Sequence, residues 1–521
     1  MSVQLPAFGE SNYLETRSNR NTRIVNILNA GEHTVSSYCQ LLKDCGYENR
    51  EFRRNGCNIY AAFSRENTGV FLNYYGTLGE LNIALEENCG YFAFEDRAGE
   101  ALVPPQITQM HLVDFGMSYA IRLSDGRFIV IDGGWDFEPD VKELYRVLKE
   151  GTPVGKPVVA AWFLTHPHRD HHLCFAEFIR RFEDEVIVEK LLLNYPEADD
   201  LAHYPELENE DWRVGNTASI YRIPQMLESV NKLGIPVYEP HTGQIYRIGD
   251  ATCEILSCMD DTILINRNLN PTSLVIRMEL GGQVILWTGD TSFSIARLPE
   301  RHGTYLKADI MQVPHHGYQS GAAEGEIAGY DLAKPKVCLI PVSEWNAYSV
   351  IGLNREGTKH MMNNIGLSDL IAGDTTRTIT LPYTPPAWAK DELKRKCLSG
   401  FDNNGACTWI FSDLDSNCKD DFAFSFFNGN NLQAEIMIDI YFDVPKRNLS
   451  YIKATVPGRS YRKLCIIDES DVLTNAVYFN WEKLEEKGIP ENASFAVRFV
   501  SDRPVVISHK RHQAAFTSAN R

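Results

Sequence analysis

Residues Val158–His171 constrain this chain more than any other stretch: seven uncharged apolar residues, Val-Val-Ala-Ala-Trp-Phe-Leu, break abruptly into Thr-His-Pro-His-Arg-Asp-His. A short apolar run without alternation reads as a strand buried on both faces. Thr165 to Asp170 then turns the chain, and His171 to Phe182 has helical character. The polar cluster is therefore expected at the carboxyl end of a buried strand and the start of a helix, where open α/β sheets place ligands. His166, His168, Asp170 and His171 put four metal-ligand types within six residues. Imidazoles at i and i+2 of a tight turn converge on one ion, while the next aspartate and histidine, rotated onto the helix start, serve a second beside it.

Two downstream stretches end in the same way. Val284-Ile-Leu-Trp-Thr-Gly-Asp290 is an apolar strand closing on a glycine and a carboxylate, and Ile310-Met-Gln-Val-Pro-His-His-Gly317 is a strand closing on two histidines. Upstream, Val113-Asp-Phe-Gly-Met-Ser-Tyr-Ala-Ile-Arg-Leu and Phe128-Ile-Val-Ile-Asp-Gly-Gly134 resemble the opening hairpin of the metallo-β-lactamase fold, with Asp132 at its characteristic turn.

The pattern Thr-His-x-His-x-Asp-His, followed in order by the strand ending in Asp290 and by Pro-His-His-Gly, resembles the metal signature of the metallo-β-lactamase-fold hydrolases. Pro314-His-His-Gly317, and Asn270-Pro-Thr-Ser-Leu-Val-Ile leading into the Thr-Gly-Asp strand, look most like the DNA-uptake competence nuclease branch and its soluble relatives. The resemblance implies two divalent metal ions, zinc first, bridged by Asp290. His166 and His168 would bind one ion; Asp170, His171 and one of His315 and His316 the other, with His315 preferred as nearer the strand end. A shared water whose pKa falls from 15.7 to about 7 would then supply hydroxide at neutral pH. Asp170 and His172 are the candidate catalytic side chains beside the metals, with Tyr318 and Arg169 as further candidates to orient ligands or give protons.

One departure bears on the metal. Many members carry another histidine between the first motif and the bridging aspartate, and only His203 and His241 lie in that interval; both read as surface histidines. Asp260 or Asp261 stands nearer the expected position and would substitute an oxygen ligand, which shifts the choice from zinc towards manganese or iron.

The whole chain sets the surroundings. Its 521 residues are too many for one ordinary domain. The fold class expected is α/β: an αββα metallo-β-lactamase sandwich over 106–385, a small α+β domain over 1–105, and an antiparallel β-sandwich over 395–521. In the first domain Thr34 to Cys45 carries a helical stripe, and strand-like pieces follow at Cys57–Phe63, Val70–Tyr75 and Leu78–Leu85. No apolar run approaches the ~20 residues of a membrane span, and the amino terminus lacks a signal pattern. The twelve cysteines form no Cys-x-x-Cys pair, which fits reduced thiols in a cytoplasmic protein.

A net charge of −18 repels a phosphate backbone, so extended nucleic acid is disfavoured and a small molecule or short phosphodiester is the expected substrate. Basic residues cluster only at Arg50, Arg53 and Arg54 and at Lys394-Arg-Lys396, and both runs read as solvated faces. Beyond the proline-rich break Pro382–Ala389 the sequence turns to strands; Ala434–Phe442 alternates Ile436, Ile438, Ile440 and Phe442 with Glu435, Met437, Asp439 and Tyr441, the period of a half-exposed strand. Ala454-Thr-Val-Pro-Gly-Arg-Ser and Ile489–His509 resemble the sensory rhodopsin transducer family, small β-sandwiches that assemble as oligomers, which implies a homo-oligomer through this domain. The function expected is metal-dependent hydrolysis of phosphodiester bonds; acyl, lactone or thioester hydrolysis, or a non-catalytic metal-binding scaffold, are the alternatives.

Overall fold

The computed structural model describes residues 13–18, 21–96, 98–196, 222–259, 269–344, 346–351, 355–399, 408–415, 423–428, 431–443, 449–465, 493–502 and 505–509. The chain divides into two compact units, Met1–Lys394 and Arg395–Arg521.

The strand Val158–Leu164 is central in the first sheet of the core. It pairs in parallel with Phe128–Asp132 on one side and Leu191–Leu193 on the other, and Ser118–Arg122 extends the sheet as an antiparallel hairpin partner of Phe128–Asp132. A second sheet runs in the order Ile245–Ile248, Ala251–Ser257, Val275–Leu280, Gln283–Trp287, Ile310–Gln312, Val337–Ile340 and Asp369–Ala372. Its first four strands are antiparallel neighbours and the rest are parallel.

The apolar run at 158–164 is continuous because both of its faces are covered. Phe163 points inward to a core shared with Tyr119 and Ile129 of its own sheet and Tyr246, Ile276 and Trp287 of the other. Trp162 and Leu164 point outward beneath two helices, meeting Phe175 and Phe178 of Arg169–Arg181 and Leu144 and Leu148 of Glu138–Gly151. Each such large side chain contributes roughly 1.5–3 kcal/mol on burial, so the two sheets are held face to face by several of them. Helices Leu298–His302, Ala323–Ala333 and Glu356–Asn363 accompany the second sheet, Ala323–Ala333 being the crossover between two of its parallel strands. The molecule is thus mixed α/β with the expected αββα layering.

The amino-terminal sheet is larger than its sequence suggested, with six antiparallel strands, three of them outside the pieces picked out by pattern. The helix Glu32–Asp44 packs Val35, Tyr38 and Leu42 on it. The sheet joins the core through Arg53 to Glu254 (2.9 Å), Asn58 to the Arg301 carbonyl (2.6 Å) and Arg297 to Glu80 (2.8 Å). Arg50, Arg53 and Arg54 each face a glutamate, so they form no basic patch.

The second unit holds a four-stranded and a three-stranded antiparallel sheet. Phe499 of the first meets Phe424 and Phe426 of the second at 4.6 and 5.4 Å, which makes a sandwich. The strand Ala434–Phe442 is central, and its second face is not the open one that alternation predicted: Met437 and Asp439 are buried. Asp439 tolerates this because Arg498, opposite it on Ser494–Ser501, donates to its carboxylate at 2.5 and 3.0 Å.

Candidate metal centre

The helix that follows the first strand begins at Arg169, two residues ahead of the sequence expectation, with the His168 carbonyl accepting from the His171 and His172 amides. Asp170 and His171 therefore occupy its first turn, where the helix dipole favours a carboxylate. Asp290 and the turn Pro314–Gly317 arrive from the second sheet. The ligand atoms of Asp170, His171, Asp290 and His316 all lie within 4.8 Å of one another, and those of His166, His168 and Asp290 do so as well. Asp290 is common to both groups.

The individual separations suit ligands of one ion. His171 Nε2 is 3.2 Å from Asp290 Oδ2 and 3.6 Å from Asp170 Oδ2; His316 Nε2 is 3.4 and 3.1 Å from the same two oxygens; His166 Nε2 is 3.8 Å from Asp290 Oδ2. Ligands each about 2.0–2.2 Å from a tetrahedral ion stand roughly 3.3–3.6 Å apart. His166 Nε2, His171 Nε2, His316 Nε2 and Asp290 Oδ1 are buried with no hydrogen-bond partner among the described residues, a costly state that a cation would relieve. The donor set of imidazole nitrogens and carboxylate oxygens fits a divalent metal ion.

Burial disfavours charge here, but neighbouring opposite charges outweigh it. The carboxylates of Asp290, Asp170 and Asp132 hold the His171 pKa well above the ordinary histidine range, and Asp290 and Asp170 raise that of His316 to about 9. His171, His316 and His315 hold Asp290 well below the usual carboxylate range. His166, buried beside His171 and His168, is pushed down.

Asp132 turns out to be the organiser of the cluster. It is wholly buried with a left-handed φ of 54°, and its carboxylate accepts from the Thr165 amide and hydroxyl, both at 2.8 Å, and from His171 Nδ1 at 2.7 Å. Its carbonyl accepts from Trp162 Nε1 at 2.9 Å. A carboxylate only accepts, so Nδ1 of His171 keeps its proton, and Nε2 is the nitrogen that would give its proton up to a bound cation. Ser273, part of the Asn270–Ile276 motif, does a similar service by accepting from the Asp290 amide at 3.1 Å. The intervening Gly289 has φ +54°, and a Cβ there would stand 2.8 Å from Ser273 Oγ. Thr165 and Ser273 carried no ligand signal in the sequence, since hydroxyls beside a motif are ubiquitous.

The structure places several of the expected residues differently. His316, not His315, joins the four-residue group, because both residues of the turn adopt left-handed φ (54° and 47°) and the chain swings His316 inward. His315 has its nitrogens taken: Asn270 Nδ2 lies 3.0 Å from Nε2 and Ser320 Oγ contacts Nδ1. His172 enters neither group; it packs against Tyr195, and burial with the neighbouring His171 and His168 pushes its pKa down to about 3, so that it is a neutral imidazole at neutral pH. His241 is no surface residue but is 1% exposed, stacked on Phe71 and 3.5 Å from Glu86. The Tyr318 ring lies tilted beside that of His315 at 5.7 Å, and Arg169 is half-buried beside His168. His203, Asp260 and Asp261 lie outside the described residues.

Residues 112–324 match the family model described as "Metallo-beta-lactamase superfamily". Compared with the curated proteins, the sequence finds no match. Similar solved structures include Igni18, a metallo hydrolase from Ignicoccus hospitalis, at 13% identity, covering 54% of this chain and 100% of that one with a TM-score of 0.34. A β-lactamase domain protein from Burkholderia ambifaria is 10% identical, covering 58% and 74% with a TM-score of 0.25. The sensory rhodopsin transducer of Anabaena is 21% identical, covering 20% of this chain and 83% of its own with a TM-score of 0.16. Among the described residues no helix is long and apolar enough to cross a membrane. With the family match spanning every residue of both ligand groups, the chain carries a metallo-beta-lactamase superfamily domain and is a metal-dependent hydrolase.

Proposed function

We propose that the domain holds two divalent ions, zinc first, and hydrolyses phosphodiester bonds. The observation that carries this reading is the pair of buried ligand groups that share Asp290. His166 and His168 would hold one ion and Asp170, His171 and His316 the other. Ions in these positions supply an activated water and Lewis acidity towards a phosphoryl oxygen. The chain's own part is positioning. Asp132 fixes the His171 tautomer, Thr165 fixes Asp132, and Asp170 is presented from the first turn of the helix. The choice of phosphodiesters rests on the likeness of Pro314–Gly317 and Asn270–Ile276 to the competence nuclease branch, and the charge of −18 favours small diesters over polynucleotides. We also infer a cytoplasmic protein whose second unit is a transducer-like sandwich that joins copies of the chain.

Elemental analysis of protein purified without added metal, followed by turnover of bis(p-nitrophenyl) phosphate, tests the reading. About two ions per chain with turnover, abolished in a cooperatively folding His168→Ala variant, is the expected result. Metal with turnover only of lactones or thioesters would replace the phosphodiester assignment, and absence of bound metal would overturn the site.

A further inference from the structure

Two loops beside the ligand groups present aromatic rings to solvent. Phe115 is 40% exposed and Phe137 38%, with Val113 at 46% on the same rim. The Trp135 and Phe137 rings stack at 5.4 Å and 9°, and Phe115 stands edge-on to Trp135 at 6.2 Å and to the ligand-group residue His316 at 5.7 Å. A continuous row of rings thus runs from open solvent to the edge of the metal-ligand cluster.

The row is fixed to the same backbone that carries the ligands. The Met117 amide donates to the Asp170 carbonyl at 3.0 Å, and the Gly133 and Gly134 amides donate to the His171 carbonyl at 2.8 and 3.2 Å. Trp135 Nε1 donates to the Phe115 carbonyl at 2.7 Å, tying one loop to the other. Val113 is held by the buried carboxylate of Asp140 at 2.9 Å. Leu112 fills the space beneath: a Cβ on Gly116 or Gly134 would meet its side chain at 2.9 or 2.8 Å. Rings with a fold-stabilising task alone would be turned inward, whereas these are locked facing water, an arrangement that marks a recognition surface.

We propose that this row is a stacking platform for a planar aromatic group of the substrate, a nucleobase or aryl ring joined to the phosphoryl centre. The proposal deepens the hydrolase reading and rests on it for the identity of the reacting group. The 5.7 Å between Phe115 and His316 is one ring spacing, so a base on the platform would leave its phosphate beside the ligand groups. Ring faces tolerate any base, so the platform selects for an aromatic group without reading which one it is.

The test is calorimetric titration of the metal-loaded protein with adenosine 5′-monophosphate and with ribose 5-phosphate, which lacks the ring. The platform predicts about tenfold tighter binding of the nucleotide, the scale of one base–aromatic stack. That preference should fall to near unity in Phe137→Ala, whose side chain is exposed enough to be removed without disturbing the core, and in Phe115→Leu. Equal affinities in the wild type, or a preference that survives both substitutions, would overturn the proposal. Because binding is read without turnover, a ring preference without diester hydrolysis would retain the platform and discard the phosphodiester reading. Diester hydrolysis without a ring preference would do the reverse.

Discussion

Asp132→Asn isolates the role of a residue that touches no metal. The substitution keeps the shape of a side chain buried among three donors, the Thr165 amide and hydroxyl and the His171 ring. An amide oxygen can still receive the Thr165 amide, but the NH2 group then faces two donors where a carboxylate oxygen stood. The Thr165 hydroxyl can rotate to accept. His171 can meet the NH2 group only by giving up its Nδ1 proton and keeping the one on Nε2, which withholds the lone pair that a bound ion would need beside Asp170 and Asp290. Loss of such an orienting partner costs 10–100-fold in metal affinity, or about 1.4–2.8 kcal/mol. Asp132→Ala would do more, leaving three buried donors unpaired at ~1–3 kcal/mol each and endangering the fold. Competition against a chromophoric chelator measures the affinity, and a thermal melt of the metal-free protein verifies folding. Asp132→Asn protein that binds metal as tightly as the wild type would refute the orienting role.

His316→Ala should reduce the metal content towards one ion per chain, and His315→Ala should leave it unchanged, both read by elemental analysis; the opposite result would restore His315 as the ligand. Gly289→Ala should destabilise the metal-free protein by ~1–3 kcal/mol in urea unfolding, since it adds a methyl 2.8 Å from Ser273 Oγ at a left-handed φ, and a wild-type midpoint would mean that the turn relaxes freely. Burial opposes charge on His241, but the adjacent Cys258 and the Glu86 and Glu239 carboxylates outweigh it and raise its pKa to about 10. Its stabilising contribution is then full below the unfolded value of about 6.5 and is lost as pH rises through 10. The stability difference between wild type and His241→Phe should therefore shrink from pH 6 to pH 10; a constant difference would remove the charge from the account.

What the sequence made legible is what depends on local pattern. The strand Val158–Leu164 was visible because a run buried on both faces tolerates no polar residue, and the ligands at its end because they are crowded into one turn. The choice between His315 and His316 was not, because it depends on two left-handed residues that no propensity predicts after Pro314. His241 and Asp439 were misread for a shared reason. Each is a polar residue whose local sequence reads as exposed, and each is buried by a partner distant in sequence, the Glu86 sheet for one and Arg498 for the other. Asp132 showed its turn in the sequence, but its contacts with Thr165 and His171 exist only once two strands and a helix have met.

The ligands come from both halves of the sandwich: His166, His168, Asp170 and His171 follow a strand of the first sheet, Asp290 and His316 follow strands of the second. Neither half alone offers a complete set, so a bound ion would act as a rivet through the seam between them. Metal concentration would thereby become a thermodynamic variable of folding, since an ion at a hundred times its dissociation constant adds about 2.7 kcal/mol to the closed form. A cell that starves this protein of metal would loosen its seam before it lost its strands.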